Sequence, residues 1–153
     1  MQNTLDLMLS TNRAVSQDGR ETEIHSNIGR DSVNKIRELI RTVGAQKTLE
    51  VGMASGVSTL AILGAHSGHH TAIDPNQTSD GPDGWQGVGL TAVRNSGLED
   101  RFTLLKESSH LARLGLSVKV RNLSLYSLMD GTRSTTRSWT FSIRTCSCET
   151  VGF

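Results

Sequence analysis

The sequence predicts an α/β fold, a Rossmann-like three-layer sandwich with a parallel sheet, and three predicted strands support it. The first strand, Thr48 to Val51, leads into a glycine turn and a helix. The second, His70 to Ile73, is followed by the acid Asp74, and the third is Phe102 to Lys106. Strands that alternate with helices form parallel sheets, because each helix returns the chain to the same end of the sheet.

Apolar spacing predicts the helices. A helix from Ser32 to about Val43 is predicted because its apolar side chains recur on one face, with Asp31 as a cap and Gly44 as the stop. Further helices are predicted from Val57 to about Ala65 and from Gly87 to about Asn95. Residues 1–23 are polar and are expected to form an arm or cap without an obvious core.

The turn after the first strand has the chemistry of a cofactor cradle. Gly52 and Gly56, with the small Ala54 between them, allow backbone amides to approach a ligand closely. The helix that begins near Val57 places N–H groups at its start, where an anion or a polar ligand is favoured. Asp74, at the carboxyl end of the second strand, is placed to accept hydrogen bonds from ribose hydroxyls.

An acid two residues before the first glycine makes the pattern more specific. The run Glu50-x-Gly52-x-Ala54-x-Gly56 resembles motif I of the class I S-adenosylmethionine-dependent methyltransferases, and most resembles their small O-methyltransferase-like subfamily. The likeness covers roughly Gly19 to Ala112 and extends through three further segments, which are His69 to Pro75, Trp85 to Leu90 and Phe102 to Ser109.

The resemblance implies a cofactor, S-adenosyl-L-methionine, and a small-molecule methyl acceptor. It implies that the glycine turn lines the methionine side of the cofactor and that Glu50 supports this turn. Asp74 is then expected to hold the ribose, with Ser108 or Ser109 near the adenine. The full set of expected cofactor-binding residues is Glu50, Gly52, Met53, Ala54, Ser55, Gly56, Ser58, Thr59, Asp74, Ser108 and Ser109.

Other interpretations of these residues stay open. Glu50 can simply accept backbone hydrogen bonds in the turn, and Asp74 can be a strand-end cap that starts the Pro75 turn. An NAD-binding oxidoreductase would use the same Asp74, although the third glycine of its fingerprint is missing at Thr59. A truncated cradle could also persist as a binding module or as a pseudogene product without function.

Composition and charge exclude several classes. The chain has 153 residues, which predicts one domain, and a formal net charge of +1, which gives no reason to expect nucleic acid as a partner. Residues 1–7 lack a signal-peptide pattern, and no apolar run is long enough to span a bilayer, so a cytoplasmic protein is expected. Cys146 and Cys148 have no partners that would complete a metal site.

Two adjacent histidines, His69 and His70, suggest a metal pair at first sight. Neighbouring residues on a strand point to opposite faces, so these two side chains cannot readily share one ion. The expectation is a strand-edge pair with one histidine in solvent.

The character of the sequence changes after about Ala112. Basic residues are scattered among serines and threonines, and no helical or strand period is present from Asp130 onward. The predicted organisation is therefore an arm at 1–23, a partial S-adenosylmethionine-binding domain at 24–112 and an irregular tail at 113–153. Only the first three strands of the sheet are expected, with the later strands missing.

A natural disordered tail fits this composition, but a frameshift between Ala112 and Ser117 is the favoured explanation. In the frame displaced one base upstream, the codon spanning Met129 and Asp130 must be GGA, which encodes glycine. With allowed third bases elsewhere, Ser127 to Phe153 re-reads as F-I-D-G-W-H-T-F-D-Y-T-L-V-D-F-F-Y-S-D-L-L-L-R-N-G-G-V. That peptide resembles the family's fourth strand, its acid and the following helix. The written Asp130-Gly131 is assigned no role, since no convincing strand precedes it.

Overall fold

A parallel sheet organises the computed structural model of the protein, which describes residues 3–25, 28–79, 84–108 and 125–128. The sheet has four strands in the order β5-β4-β3-β6, and all three pairings between them are parallel. In chain order the strands of this sheet are β3 (Lys47–Val51), β4 (His69–Ile73), β5 (Phe102–Leu105) and β6 (Leu125–Leu128). The predicted Rossmann-like parallel sheet is confirmed.

The two faces of this sheet have different chemistry. Leu49 and Ile73 are buried on one face, where Val51 and Leu105 pack against them. The alternate residues of the same strands include the buried polar side chains Thr48, Glu50 and His70, together with Ala72 in the main core. The alternation follows from the two-residue period of a strand. The second helical layer of the predicted sandwich lies outside the described residues.

The best-patterned helix is α2 (Arg30–Val43), whose buried side chains Val33, Ile36 and Ile40 recur at helical spacing. It ends at Gly44, whose φ of +63° is the left-handed conformation that closes helices. The predicted cap is wrong: the N-cap is Gly29, which has no side chain to accept a hydrogen bond from the helix, while Asp31 lies inside the first turn. An acid in that position still interacts favourably with the helix dipole.

Two shorter helices complete the layer against the sheet. Helix α3 (Val57–Leu63) is buried at every position, because α2 and α4 pack on it from the sides and β4 lies beneath it. Helix α4 (Val88–Asn95) buries Val88, Ala92 and Val93. In the part of the chain that is described, no helix is long and apolar enough to cross a membrane.

The amino-terminal arm contributes to the core, which the sequence did not predict. It forms the helix α1 (Thr4–Thr11) and an antiparallel hairpin of β1 (Arg13–Val15) and β2 (Glu21–Glu23). Leu5 and Met8 of α1 are each only 2% exposed. The expectation of an arm without a core is wrong. Leu5 and Met8, one helical turn apart, are enough to pack this short helix against α3.

The strand β6 also departs from the sequence prediction. Leu125–Leu128 pairs with β3 in parallel, with Leu128 opposite Val51, so a fourth strand is present in the written frame. The expectation that every strand after the third is missing is therefore wrong for this segment. Asp130, Gly131 and the predicted irregular tail from Asp130 to Phe153 lie outside the described residues.

Candidate functional site

The candidate site lies at the carboxyl ends of the parallel strands. Within the sheet, β4 and β5 follow β3 in one direction, and β6 then pairs with β3 on its other edge. Such a reversal creates a crevice beside the strand where it occurs, and ligands of open α/β sheets bind there. The glycine turn follows β3 directly, so it occupies this position.

The turn consists of residues 52–56 and uses left-handed backbone at three of them. The φ angles are +84° at Gly52, +50° at Ala54 and +87° at Gly56. The turn is tied to the neighbouring strand, because the Gly52 amide donates to the Ile73 carbonyl at 2.8 Å. A positive φ is unfavourable for a residue with a side chain, so Ala54 must be held in place by its surroundings.

Asp74 supplies much of that hold. Its Oδ2 atom accepts hydrogen bonds from the backbone amides of Met53 and Ala54, both at 3.0 Å. Its Oδ1 atom accepts from the Asn76 amide at 2.9 Å, which starts the turn at Pro75. Asp74 is 4% exposed. The carboxylate is thus both a strand-end cap, as one interpretation of the sequence had it, and the anchor of the glycine turn.

Gly56 is placed against helix α4. A Cβ atom at Gly56 would lie 3.0 Å from the Cα atom of Gly89 and 3.2 Å from its carbonyl oxygen. The sequence interpretation attributed Gly56 to the approach of a ligand. The structure shows a second reason for a glycine here. The backbone of the turn and the backbone at the start of α4 are in close contact, which leaves no room for a side chain at Gly56.

Glu50 lies beneath the turn and is fully buried. It accepts a short hydrogen bond from the Thr59 hydroxyl of α3, and its Oε1 atom is 3.4 Å from Nε2 of the equally buried His70. That second contact is within ion-pair distance but is not aligned as a hydrogen bond, and Glu50 Oε2 has no hydrogen-bond partner among the described residues. Glu50 therefore joins the strand before the turn to the helix after it.

A chain of hydrogen bonds extends from His66 through Thr48 to His70, whose Nε2 atom lies near Glu50. The Gly68 amide donates to His66 Nδ1, which leaves the proton of neutral His66 on Nε2, 3.1 Å from the Thr48 hydroxyl. Thr48 in turn lies 2.9 Å from His70 Nδ1. With Thr48 donating, the His70 proton resides on Nε2 and faces Glu50. One consistent set of tautomers thus connects His66 to His70.

Protonation of His66 should reduce stability. Burial lowers the pKa of His66 below its usual 6.5, with smaller contributions from the nearby charges of His70, Arg101 and His69. A group with a lowered pKa in the folded state binds more protons when unfolded, so the stability it contributes is present above about pH 6.5 and lost as the pH falls. Urea unfolding between about pH 5 and pH 8 should show this loss.

The matched variants for that measurement are His66→Gln and His25→Gln. His66→Gln should flatten the dependence of the unfolding free energy on pH, because one titrating group has been removed. His25 is exposed, so His25→Gln should keep the slope of the parent chain. Equal slopes for all three proteins would show that His66 does not titrate differently in the folded and unfolded states.

The remaining predicted residues fall into three groups. Met53, Ser55 and Ser58 are buried in or next to the turn, and Thr59 is turned towards Glu50. Ser108 is exposed and follows β5 at the same edge of the sheet. Ser109 lies outside the described residues. The histidine pair is arranged as expected: His69 is exposed against Thr103, while His70 is buried on the opposite face.

Two residues of the site were missed in the sequence. Gln77 is fully buried and donates to both Ala54 and Asp74, and Gly89 is the contact of Gly56. The signal for Gly89 is the pair Gly87-x-Gly89 at the start of a predicted helix, where glycine is otherwise unfavourable. The signal for Gln77 is weak, because a glutamine in a polar loop is usually exposed.

The fold is that of O-methyltransferases of known structure. An O-methyltransferase from Bacillus cereus, solved in complex with S-adenosylhomocysteine (SAH), superposes with a TM-score of 0.59 at 12% identity, over 84% of this chain and 54% of its own. An SAH-bound methyltransferase from Podospora anserina gives 0.60 at 16% identity, over 84% and 50%. TomG, a Streptomyces achromogenes O-methyltransferase involved in tomaymycin synthesis and solved with S-adenosylmethionine, gives 0.52 at 13%, over 67% and 44%.

The likeness is one of structure alone. No protein-family model matches the sequence, and a comparison with curated proteins gives no match either. The chain spans about half the length of the solved structures it resembles.

Proposed function

We propose that the chain is the cofactor-binding half of an S-adenosylmethionine-dependent methyltransferase that acts on a small-molecule acceptor. The observation that carries the proposal is the assembled contact between Asp74 and the amides of Met53 and Ala54, at the crevice of the parallel sheet. This contact brings the glycine turn and the acid together in the way a nucleoside cofactor requires. The neighbouring structures with bound SAH or S-adenosylmethionine support the same cofactor.

The residues present fit such a cofactor. The turn from Gly52 to Gly56 buries its one large side chain, Met53, and otherwise has only glycine, alanine and serine. The Asp74 carboxylate offers an acceptor for ribose hydroxyls. A carboxylate oxygen has two lone-pair directions, and Oδ1 uses one of them for the Asn76 amide. The second direction of Oδ1 is the acceptor we assign to the ribose. Ser108, exposed beyond β5, is the residue we assign to the adenine side.

The reaction needs little chemistry from these residues. S-adenosylmethionine supplies an activated methyl group when bound, and the protein binds, orients and desolvates the reactants. Asp74 and the turn would orient the nucleoside, while the buried Glu50 and Thr59 stabilise the turn from below. A base or metal-binding acid would follow the fourth strand, which is the region beyond Leu128. We therefore assign no catalytic residue among the described residues and expect no turnover from the chain as written.

The oxidoreductase alternative is less well supported. The third glycine of a dinucleotide fingerprint allows the helix to pack closely on the strand. In this chain the Thr59 side chain fills that space and donates to Glu50. The compared structures are methyltransferases, and the ligands named with them are SAH and S-adenosylmethionine. A cytoplasmic location and a small acceptor remain predictions from composition and resemblance.

Removing the Asp74 carboxylate should weaken cofactor binding. Asp74→Ala deletes a charged acceptor worth about 1.5 to 3 kcal/mol, which corresponds to a roughly ten- to hundredfold loss of affinity for SAH in calorimetry. Asp74→Asn keeps one acceptor oxygen and should lose less. Asn76→Ala changes an exposed side chain beside the same turn and should bind like the parent chain. Unchanged affinity in Asp74→Ala would refute the role assigned to Asp74.

We also propose that the tail is translated out of frame after a frameshift between Ala112 and Ser117. Strand β6 weakens one reason for this proposal, since the written residues Leu125–Leu128 do form a parallel strand. The proposal now rests on the written sequence beyond Asp130 and on the re-read peptide. Sequencing of the codons from Leu111 to Phe153 tests it: stop codons in the displaced frame would refute it. A chain repaired to that frame should bind SAH through the same residues and gain methyl-transfer activity.

A further inference from the structure

Gln77 is a fully buried polar side chain at the candidate site. Its Nε2 atom donates to the Ala54 carbonyl oxygen at 2.6 Å and to Asp74 Oδ2 at 3.2 Å. Both partners are acceptors, so the amide nitrogen must face them and the amide oxygen must point away. The carboxamide thus donates one N–H group to the glycine turn and the other to Asp74.

These bonds close a triangle around the strained residue of the turn. Ala54 donates its N–H to Asp74 Oδ2 at 3.0 Å, and its carbonyl oxygen accepts from Gln77. Gln77 also bonds the same carboxylate oxygen of Asp74. Ala54 has a φ of +50°, a conformation that an alanine keeps only when neighbouring groups enforce it. Gln77 and Asp74 together hold it from both sides.

The start of α4 keeps Gln77 in this position. The Gly87 amide donates to the Gln77 carbonyl oxygen at 2.5 Å, so the backbone of Gln77 is fixed as well. A Cβ atom at Gly89 would lie 2.8 Å from the Ala54 carbonyl oxygen and 2.9 Å from Gln77 Oε1. Gly89 is therefore required by the placement of the carboxamide, and the first turn of α4 closes over it.

We propose that Gln77 is a positioning residue of the cofactor site, which sets the placement of the Asp74 carboxylate relative to the glycine turn through its two N–H groups. The inference rests on the proposed function. By occupying Oδ2 together with the turn amides, Gln77 leaves Oδ1 as the oxygen that faces a ligand. Loss of either N–H group frees the carboxylate to rotate and the Ala54 carbonyl to turn, and the ligand then has to restore both.

Two variants separate this role from simple packing. Gln77→Met has a similar shape without donors, and SAH affinity in calorimetry should fall about tenfold or more. Gln77→Glu places a second carboxylate beside Asp74, so it should bind poorly at about pH 8. It should recover in part at about pH 5.5, where a protonated acid again donates one of the two hydrogen bonds. Among the described residues, Asp74 is the charged partner of position 77, since the other contacts there, Ala54 and Gly89, carry no charge. Thr78→Val, at the exposed neighbouring residue, is the control and should match the parent chain at both pH values.

Amide exchange gives a readout that does not depend on the cofactor. Exchange of the Met53 and Ala54 amides should quicken in Gln77→Met, while that of amides in α2 stays unchanged. If the parent chain does not bind SAH, the proposed function fails, and the exchange result alone decides whether Gln77 positions the turn. If the parent binds SAH and Gln77→Glu shows no greater pH dependence than the parent, the positioning role is refuted. Should Gln77→Met unfold, the SAH affinities of Gln77→Glu at the two pH values provide the test.

Discussion

Gly56→Val is expected to lower the free energy of unfolding by about 3 kcal/mol and to abolish SAH binding. Two costs combine at this position. The φ of +87° is unfavourable for any residue with a side chain, and a Cβ atom would lie 3.0 Å from the Cα atom of Gly89. Valine adds two methyl groups to that contact, so the turn and the start of α4 must separate. Urea unfolding gives the stability, and calorimetry gives the affinity.

Gly44→Val is the matched control for this change. Gly44 also has a positive φ, +63°, but a Cβ atom there would meet no atom within 4 Å. The control should lose only the stability that the strained backbone costs, about 1 to 2 kcal/mol, and should bind SAH like the parent chain. Equal losses for the two valine variants would show that the contact between Gly56 and Gly89 adds no energy to the strain.

Glu50→Leu is expected to lower the free energy of unfolding by about 3 kcal/mol as well. The change removes the acceptor of the buried Thr59 hydroxyl and leaves the buried His70 without its acidic neighbour. An unsatisfied buried donor costs about 1 to 3 kcal/mol, because it has lost its water without gaining a partner. Glu50→Gln keeps an acceptor oxygen in the same place, so its loss should be about 1 kcal/mol.

A double variant distinguishes this explanation from a simple packing effect. Glu50→Leu combined with Thr59→Val removes both polar partners, so it should be less destabilising than the sum of the two single changes. Glu38→Leu, on the exposed side of α2, should change the unfolding free energy by less than about 0.5 kcal/mol. A strictly additive double variant would contradict the coupling between Glu50 and Thr59.

The sheet and the turn could be predicted because local patterns determine them. The strands β3, β4 and β5 were predicted to within a residue of their ends, since each is a short apolar run next to turn residues. Helix α2 was predicted from its apolar face and from Gly44. The glycine turn and Asp74 were predicted as one site because an acid at the end of the next parallel strand lies beside the turn after the first.

The features that were missed depend on contacts between distant residues. Gln77 is buried where its amide donates to the Ala54 carbonyl and to Asp74, and no local pattern signals this. Leu5 and Met8 are buried because α3 lies beside them, not because α1 is strongly apolar. Strand β6 was missed because it lies among scattered serines and basic residues, and its pairing with β3 is not visible in the sequence.

The most direct test of the proposed function is a calorimetric titration of the unmodified chain with SAH and, separately, with NAD. The proposal predicts saturable binding of SAH and none of NAD, with SAH binding weakened in Asp74→Ala and lost in Gly56→Val. The presence of SAH should also raise the unfolding midpoint, because a ligand that binds only the folded state stabilises it. Binding of NAD without binding of SAH would contradict the cofactor assignment.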